Sequence, residues 1–313
     1  MYESFYGFSA KPFQLNPDPS FYFASRQHKR AMAFVEYGVH QGEGFIVITG
    51  EVGAGKTTIV RNLLSKLDQG SIVATNLVST QLEADDTLRM VVAGFGINTR
   101  DLPKADLLLE LEACLAAHAR DGRRCLLIVD EAQNLPPRAL EELRMLSNFQ
   151  LGNHALLQTF LVGQPEFRRI IRSPQFHQLR QRVIAASHIG PLEGDDTRHY
   201  IEHRLGRVGW KGLPTIGPEA FIAVHQASGG IPRRINLLVD RMLLAGYLKG
   251  DANFSAAMVR EIAAEIDEET LEPAGLSAEG VEDTGPGDRA VSAAPVARQG
   301  ADPGLRVAAI DQD

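Results

Sequence analysis

The chain has 313 residues, of which 44% are hydrophobic and 23% charged, and this length can bury a core divided into one large and one smaller domain. No segment approaches the roughly 18 consecutive apolar residues that a membrane span needs, and the amino terminus lacks the basic and apolar regions of a signal peptide. We therefore expect a soluble, cytoplasmic protein with no direct membrane span.

The formal charge of −7 is concentrated at one end of the sequence. Residues 267–313 carry eleven Asp or Glu and three Arg, so a net charge of −8 there leaves +1 for the rest of the chain. This acidic segment contains no aromatic residue and is rich in Gly, Pro and Ala, which predicts a disordered tail. The remainder shows no strong basic field, so we do not expect nonspecific binding to nucleic acid.

Short apolar runs alternate with helical patterns between residues 44 and 163. The predicted strands, rich in Val, Ile and Leu, are residues 44–50, 71–78, 124–131 and 155–163, and the predicted helices are residues 56–67, 105–122 and 137–149. Apolar strands separated by helices are typical of a parallel sheet covered on both faces. After about Pro191 only helical patterns remain, which predicts a helical second domain.

Residues 50–58, GEVGAGKTT, lie between a predicted strand and a predicted helix and fit the pattern G-x-x-x-x-G-K-[ST]. In this context backbone N–H groups and a helix amino terminus bind phosphates, Lys56 reaches the β and γ phosphates, and the Thr57 hydroxyl is a ligand for Mg²⁺. The alternative is a Gly-rich turn that binds nothing. The predicted nucleotide-binding residues are Gly50, Glu51, Val52, Gly53, Ala54, Gly55, Lys56, Thr57 and Thr58.

Two carboxylates end the predicted strand in the stretch CLLIVDEAQ. Asp130 is the expected second ligand of Mg²⁺, and Glu131 is expected to orient and polarise the attacking water. The alternative is that the pair only ends a strand and caps the next helix. The phosphate-binding loop upstream in the same sheet favours the catalytic interpretation.

The other residues with metal or redox chemistry show no functional spacing. Cys114 and Cys125 lie in apolar stretches without a CxxC or Cys/His pattern, so we interpret them as core residues. His199 and His203 are four residues apart on a predicted helix but lack a third ligand, so we do not expect zinc.

A family resemblance rests on five motifs in chain order: GEVGAGKTT, LLIVDEAQNL, TFLVGQPEF, LRQRV and SGGIPRRIN. Together they resemble an AAA+ ATPase. With the opening YGFSAKPFQLNPDPSFYFASRQHKRAMAFVEYGV, residues 1–266 resemble the general secretion pathway protein A (ExeA-like) family. Within it they look most similar to the secretion ATPases of exosortase, PEP-CTERM and exopolysaccharide loci.

The resemblance implies roles for four further residues. Gln164 matches the sensor 1 position, which contacts the γ-phosphate or the lytic water. Arg182, with Arg180 as the alternative, matches the arginine finger, which reaches the nucleotide of a neighbouring subunit; both arginines could instead belong to a solvated face. Arg233 matches sensor 2 in the first turn of a lid helix, through which the lid would respond to the γ-phosphate.

The aromatic residues near the amino terminus allow two interpretations. They either pack in a core, which we favour, or lie beside the nucleotide base as the segment before the phosphate-binding loop does in the resembled family. These residues are Phe5, Phe8, Phe13, Phe21, Tyr22 and Phe23.

We therefore predict an α/β P-loop NTPase of AAA+ type, with a parallel sheet covered by helices, a helical lid and a disordered tail. The expected divisions are residues 1–43, an amino-terminal segment; 44–190, the nucleotide-binding domain; 191–266, the lid; and 267–313, the tail.

The expected function is Mg²⁺-dependent hydrolysis of ATP in support of secretion or of envelope and exopolysaccharide export, with ATP and Mg²⁺ as cofactors and Thr57 and Asp130 as metal ligands. We expect a homo-oligomer. The resembled proteins continue into a membrane span where this sequence has an acidic tail, so we also expect a membrane-embedded or envelope partner. Through that partner the protein would be peripheral at the inner membrane. A DNA-associated ATPase similar to transposition regulators and a nucleotide-gated scaffold with slow turnover are the alternatives.

Overall fold

The computed structural model describes residues 1–16, 18–67, 70–77 and 82–271, and every structural statement below concerns these residues. Residues 272–313, most of the predicted acidic tail, lie outside them. Within the described ranges, no helix combines the length and the apolar character that crossing a membrane requires.

The strands in the described ranges are β1 (Phe45–Gly50), β2 (Ile72–Leu77), β3 (Arg124–Val129), β4 (Gln150–Leu151), β5 (His154–Ala155), β6 (Leu157–Gly163), β7 (Val183–Ile189), β8 (Thr215–Ile216) and β9 (Asn253–Phe254). Five of them form a parallel sheet with the strand order β2-β3-β6-β1-β7. β6 pairs with both β1 and β3. The carboxyl ends of β1, β3 and β6 therefore lie side by side at one edge of the sheet.

Helices cover both faces of the sheet. The helices in the described ranges are α1 (Tyr2–Tyr6), α2 (Arg26–Gln41), α3 (Lys56–Lys66), α4 (Ala84–Gly94), α5 (Lys104–Arg120), α6 (Pro137–Leu146), α7 (Pro165–Arg172), α8 (His177–Gln181), α9 (Gly194–Arg207), α10 (Pro218–Ser228), α11 (Pro232–Lys249) and α12 (Ala256–Leu271), of which α2–α8 lie on the sheet. Successive side chains of a strand point to opposite faces. Accordingly, Phe45 and Val47 share a core with α4–α8, whereas Ile46 and Ile48 share a core with α2 and α3.

A third core joins the helices α9–α12, which we call the lid, to the amino-terminal segment. Tyr2, Tyr6, Phe8, Phe13 and Phe21 are buried among apolar side chains of the lid. The Tyr6 hydroxyl, for example, donates to the Leu243 carbonyl over 3.2 Å. The five aromatic residues thus pack with the lid, whereas α2, in the same predicted segment, packs on the sheet.

The structure confirms the predicted sheet and lid and adds elements that the sequence did not indicate. The additional elements include α2, α4 and the edge strand β7. α12 extends to Leu271, a few residues into the segment predicted as tail. Cys125 is buried, which raises the pKa of its thiol to about 12, and Cys114 is partly buried; neither forms a disulfide.

Candidate nucleotide-binding site

The loop between β1 and α3 wraps around the side chain of Lys56. Gly53 and Gly55 have φ values of +82° and +95°, which favour glycine, and Lys56 is the first residue of α3. The Lys56 Nζ donates to the carbonyls of Gly50 and Glu51 over 2.9 and 3.1 Å. Burial lowers the pKa of Lys56, although nearby carboxylates, Glu131 first among them, oppose the shift. The result is a buried cation bonded to the carbonyls of its own loop.

Thr57 and Asp130 meet at the end of β3, as a metal site would require. The Thr57 hydroxyl donates to Asp130 Oδ2 over 3.0 Å, and Asp130 Oδ1 accepts from the Glu131 N–H over 3.0 Å. Hydroxyl and carboxylate oxygens are the ligands that Mg²⁺ prefers, with phosphate oxygens and water completing the octahedron. Thr57 and Asp130 thus supply two oxygen atoms of the kind that would hold Mg²⁺.

Glu131 adopts an unusual backbone conformation, with φ of +52°, that few residues with a side chain tolerate. Its carboxylate oxygen Oε2 accepts from Gln164 Nε2 over 3.1 Å and from Gln133 Nε2 over 2.5 Å. Burial alone would raise the pKa of Glu131, but these two hydrogen bonds and the Lys56 charge outweigh it and lower the pKa. The carboxylate is therefore held ionised and oriented beside the lysine.

Gln133 belongs to this arrangement, although no motif in the sequence predicts a role for it. Its Oε1 accepts from the Gln164 N–H over 2.9 Å, so one side chain joins the ends of β3 and β6. A Cβ on Gly163 would lie 3.0 Å from the same Oε1 atom, which leaves little room beside it. The sequence signal was an amide two residues after the paired carboxylates.

The lid touches the phosphate-binding loop through Arg233. The Arg233 N–H, in the first turn of α11, donates to the Gly53 carbonyl over 3.2 Å. Its side chain is exposed and lines the same cavity, about 400 Å³ in volume, as Lys56 and Glu131. Arg234 does not line this cavity.

Arg180 and Arg182 lie away from the other predicted site residues. Arg182 immediately precedes β7, at the amino edge of the parallel sheet, and a seven-residue strand places that edge about 20 Å from the carboxyl edge. Its guanidinium donates to the Ser147 hydroxyl over 2.9 Å and also bonds to Asn148. Arg180 donates to backbone carbonyls at the end of α7. Neither arginine meets the nucleotide-binding loop of its own chain.

A second, smaller cavity adjoins the loop on the side of the lid. Five residues, which we call the neck, line both cavities: Gly55, Thr58, Tyr200, Arg204 and Pro232. Beyond the neck, the smaller cavity is lined by Asp18, Phe21, Tyr22, Phe23, His28 and Leu192, and we call it the aromatic cavity. Flat rings next to a phosphate-binding loop suit a nucleobase.

His28 supports the loop from α2 and was also missed. Its Nε2 lies 3.1 Å from the Ala54 carbonyl and its Nδ1 lies 2.7 Å from the Ser25 hydroxyl. Burial lowers the pKa of His28, so the neutral ring donates through Nε2 and accepts from Ser25. The sequence signal was a Ser three residues before the His at a helix start.

Comparisons with known proteins agree with this geometry. Residues 39–171 match the family model described as AAA domain. General secretion pathway protein A from Aeromonas hydrophila is 39% identical over 251 residues, which are 80% of this chain and 46% of that protein. The chain thus spans about half the length of this relative.

Solved structures share the fold at low sequence identity. The ORC2 protein of Aeropyrum pernix, described as ADPNP-ADP complexes, has a TM-score of 0.60 at 16% identity, covering 82% of this chain and 75% of that one. Cdc6p from Pyrobaculum aerophilum has a TM-score of 0.61 at 16% identity, covering 87% and 74%. A single-substitution variant of RuvB from Thermotoga maritima has a TM-score of 0.51 at 18% identity, covering 83% and 76%. The architecture is therefore the parallel-sheet fold of AAA+ P-loop ATPases, as the sequence predicted.

Proposed function

We propose that this chain, which contains an AAA domain over residues 39–171, is an ATPase that uses Mg²⁺-dependent hydrolysis to support secretion. The observation that carries the proposal is the convergence of Lys56, Thr57, Asp130, Glu131 and Gln164 at the carboxyl ends of three adjacent strands. The proposed functional units are residues 44–190 for nucleotide binding and 191–266 for the lid.

Each of these side chains has a task that its position supports. Lys56 is a buried cation beside the carbonyls of its own loop, which it would exchange for phosphate oxygens. Thr57 and Asp130 would hold Mg²⁺, which neutralises charge on the phosphates when bound. Glu131 would accept a hydrogen bond from the attacking water, and Gln164 fixes its carboxylate.

The lid and a neighbouring subunit complete the proposed cycle. Arg233 lines the cavity and is attached through its N–H to the phosphate-binding loop, so the phosphate state would bias the lid position. Arg182 is on the opposite edge of the sheet, so it would act on the nucleotide of an adjacent copy in a homo-oligomer. To do so it would leave Ser147 and Asn148.

The secretion assignment rests on the relative named General secretion pathway protein A. We propose that the ATPase acts in the cytoplasm, peripherally at the inner membrane, on an envelope export partner. The finer proposal is a role at exosortase, PEP-CTERM or exopolysaccharide loci, for which the motif pattern is the support.

The first test measures ATP hydrolysis by the purified chain over a wide range of protein concentration. We expect specific activity to rise with concentration in the wild type and to stay low in Arg182→Ala. Ser147→Ala is the matched control, because it removes one hydrogen bond that Arg182 makes within the chain, to the Ser147 hydroxyl, but keeps the arginine. Constant specific activity in all three would refute the intersubunit role.

Two variants test the chemistry itself. Lys56→Ala should lose nucleotide affinity, and unchanged binding would refute the phosphate-binding role of the loop. Glu131→Gln should bind ATP and hydrolyse it about 10²- to 10⁴-fold more slowly. If Glu131→Gln captures partners and supports export as well as the wild type, the chain is a scaffold; if DNA stimulates turnover steeply at low salt, it is a DNA-associated ATPase.

A further inference from the structure

The guanidinium of Arg204, on the lid helix α9, is buried without an anionic partner. Only 7% of the residue is exposed. Its Nη1 donates to the Pro12 carbonyl over 2.9 Å, but its Nε makes no hydrogen bond. The rings of Phe21 and Tyr200 each lie 5.2 Å from its central carbon, and that of Phe13 lies 6.0 Å away.

A buried arginine normally has a carboxylate or another anion beside it, because its charge has lost the stabilisation of water. Among the described residues no carboxylate comes within 4.0 Å of Arg204. Asp18 lines the aromatic cavity too, but its pKa is lowered first by the Ser20 N–H and only weakly by the Arg204 charge. The aromatic faces offset part of the cost, yet they leave the Nε donor unsatisfied.

The position of Arg204 indicates which anion fits. Arg204 belongs to the neck between the two cavities, together with Gly55 and Thr58 of the phosphate-binding loop. Backbone N–H groups of such a loop surround the α and β phosphates. Arg204 therefore faces the same phosphates from the lid side.

The order of groups along a nucleotide selects one of these phosphates. The terminal phosphate belongs beside Lys56 and Glu131, which line the larger cavity but not the aromatic one. The base belongs among the rings of the aromatic cavity. The group at the neck is then the ribose or the α-phosphate. Of these two, only the phosphate carries the negative charge that would pair with the Arg204 guanidinium.

We propose that Arg204 binds the α-phosphate of the nucleotide through N–H groups of its guanidinium; this inference rests on the proposed nucleotide site. Two parallel N–H donors of arginine match two phosphate oxygens, which a lysine cannot reproduce. Because Arg204 is also bonded to Pro12, nucleotide binding would fasten the amino-terminal segment and the lid to the same phosphate.

The test separates the α-phosphate from the rest of the nucleotide by comparing AMP with adenosine. Each is titrated as a competitor of labelled ATP, against wild type, Arg204→Met and the control Arg207→Met, which removes an exposed arginine of the same helix. In the wild type and in Arg207→Met we expect AMP to bind at least about tenfold more tightly than adenosine. In Arg204→Met the ratio should fall at least about tenfold towards one, while the ratio of ATP to AMP affinity is retained.

Arg204→Lys extends the test if the methionine variant does not fold, which circular dichroism would show. It keeps the charge but lacks the fork of parallel N–H donors, so its AMP-to-adenosine ratio should lie between one and the wild-type value. A wild-type ratio near one, or an unchanged ratio in a folded Arg204 variant, would overturn the inference. If wild type binds no ATP, or Lys56→Ala binds it equally well, the proposed site itself has failed.

Discussion

The contact between Gly53 and Arg233 can be tested by adding a single methyl group. Gly53 has a φ of +82° and its carbonyl accepts from the Arg233 N–H over 3.2 Å. A Cβ on Gly53 would lie 2.4 Å from the Arg233 Cβ, whereas ordinary contacts begin at 3.4 Å. Gly53→Ala must therefore push the start of α11 away from the loop by about 1 Å, the difference between these distances.

The expected destabilisation has two parts. A left-handed backbone conformation costs alanine about 1–2 kcal/mol, and forcing a methyl group into a packed contact costs about 1–3 kcal/mol more. Gly96→Ala supplies a matched control, since Gly96 has a φ of +84° and no atom within 4 Å of an added Cβ. Gly96→Ala therefore has the cost of the left-handed backbone conformation but not that of the packed contact. The effect of alanine on the unfolded chain is the same in both variants.

The assay is urea denaturation of wild type, Gly53→Ala and Gly96→Ala, followed by ATP turnover. Gly53→Ala should lower the free energy of unfolding by about 1–3 kcal/mol more than Gly96→Ala does. Turnover should fall on the order of 10²-fold in Gly53→Ala only, because a displacement of about 1 Å disturbs the alignment of reacting groups. Equal destabilisation with equal turnover would show that the lid does not depend on this contact.

Three further variants examine the support around the site. Gln164→Ala removes a hydrogen bond that lowers the pKa of Glu131. The acid limb of the pH–rate profile, where this carboxylate becomes protonated, should therefore move to higher pH. An unmoved limb would contradict the role of the bond. His28→Ala leaves the Ala54 carbonyl unpaired and should cost about 1–3 kcal/mol, whereas His28→Gln should recover part of it. Burial lowers the pKa of His28 in the folded state, so the unfolded chain binds a proton more readily than the folded chain does. The free energy of unfolding of the wild type should therefore fall as the pH drops below about 6.5, and it should fall less in His28→Gln. In Asp130→Asn the side chain can still accept a hydrogen bond from the Thr57 hydroxyl but has lost its charge. Half-maximal turnover should therefore need at least about tenfold more Mg²⁺. An unchanged Mg²⁺ requirement would argue against a metal ligand at this position.

The central strands could be predicted because each is buried on both faces. β1, β3 and β6 consist mainly of apolar residues, and that composition distinguishes them from loops. β7 was missed although the other edge strand, β2, was predicted. In its sequence, VIAASHI, the residues Ala186, Ser187 and His188 interrupt the apolar run, and Ala186 and His188 are exposed, so the apolar signal is weaker.

The contacts between side chains in the site could be predicted from the sequence only in part. The positions of Lys56, Thr57 and Asp130 follow from a motif whose spacing is fixed by a strand, a turn and a helix. The bond from Gln133 to Glu131 depends on the left-handed backbone at Glu131, which no sequence pattern for that residue indicates. His28 reaches Ala54 across 26 residues, so its role required the packing of α2 against the loop.

Arg204 shows where sequence reasoning could have gone further and where it could not. The buried positions of α9 include Thr197, Tyr200, Ile201, Arg204 and Leu205, which is the spacing of one helical face. An arginine on that face is an anomaly that the sequence alone displays, because a charge at a core position must be compensated. What compensates it cannot be deduced from spacing, since one partner, the Pro12 carbonyl, is 192 residues away and the residue lines a cavity that it shares with the loop between β1 and α3. A charged residue on the apolar face of a helix therefore marks a position worth examining in the structure, and the geometry around it then identifies the ligand chemistry to test.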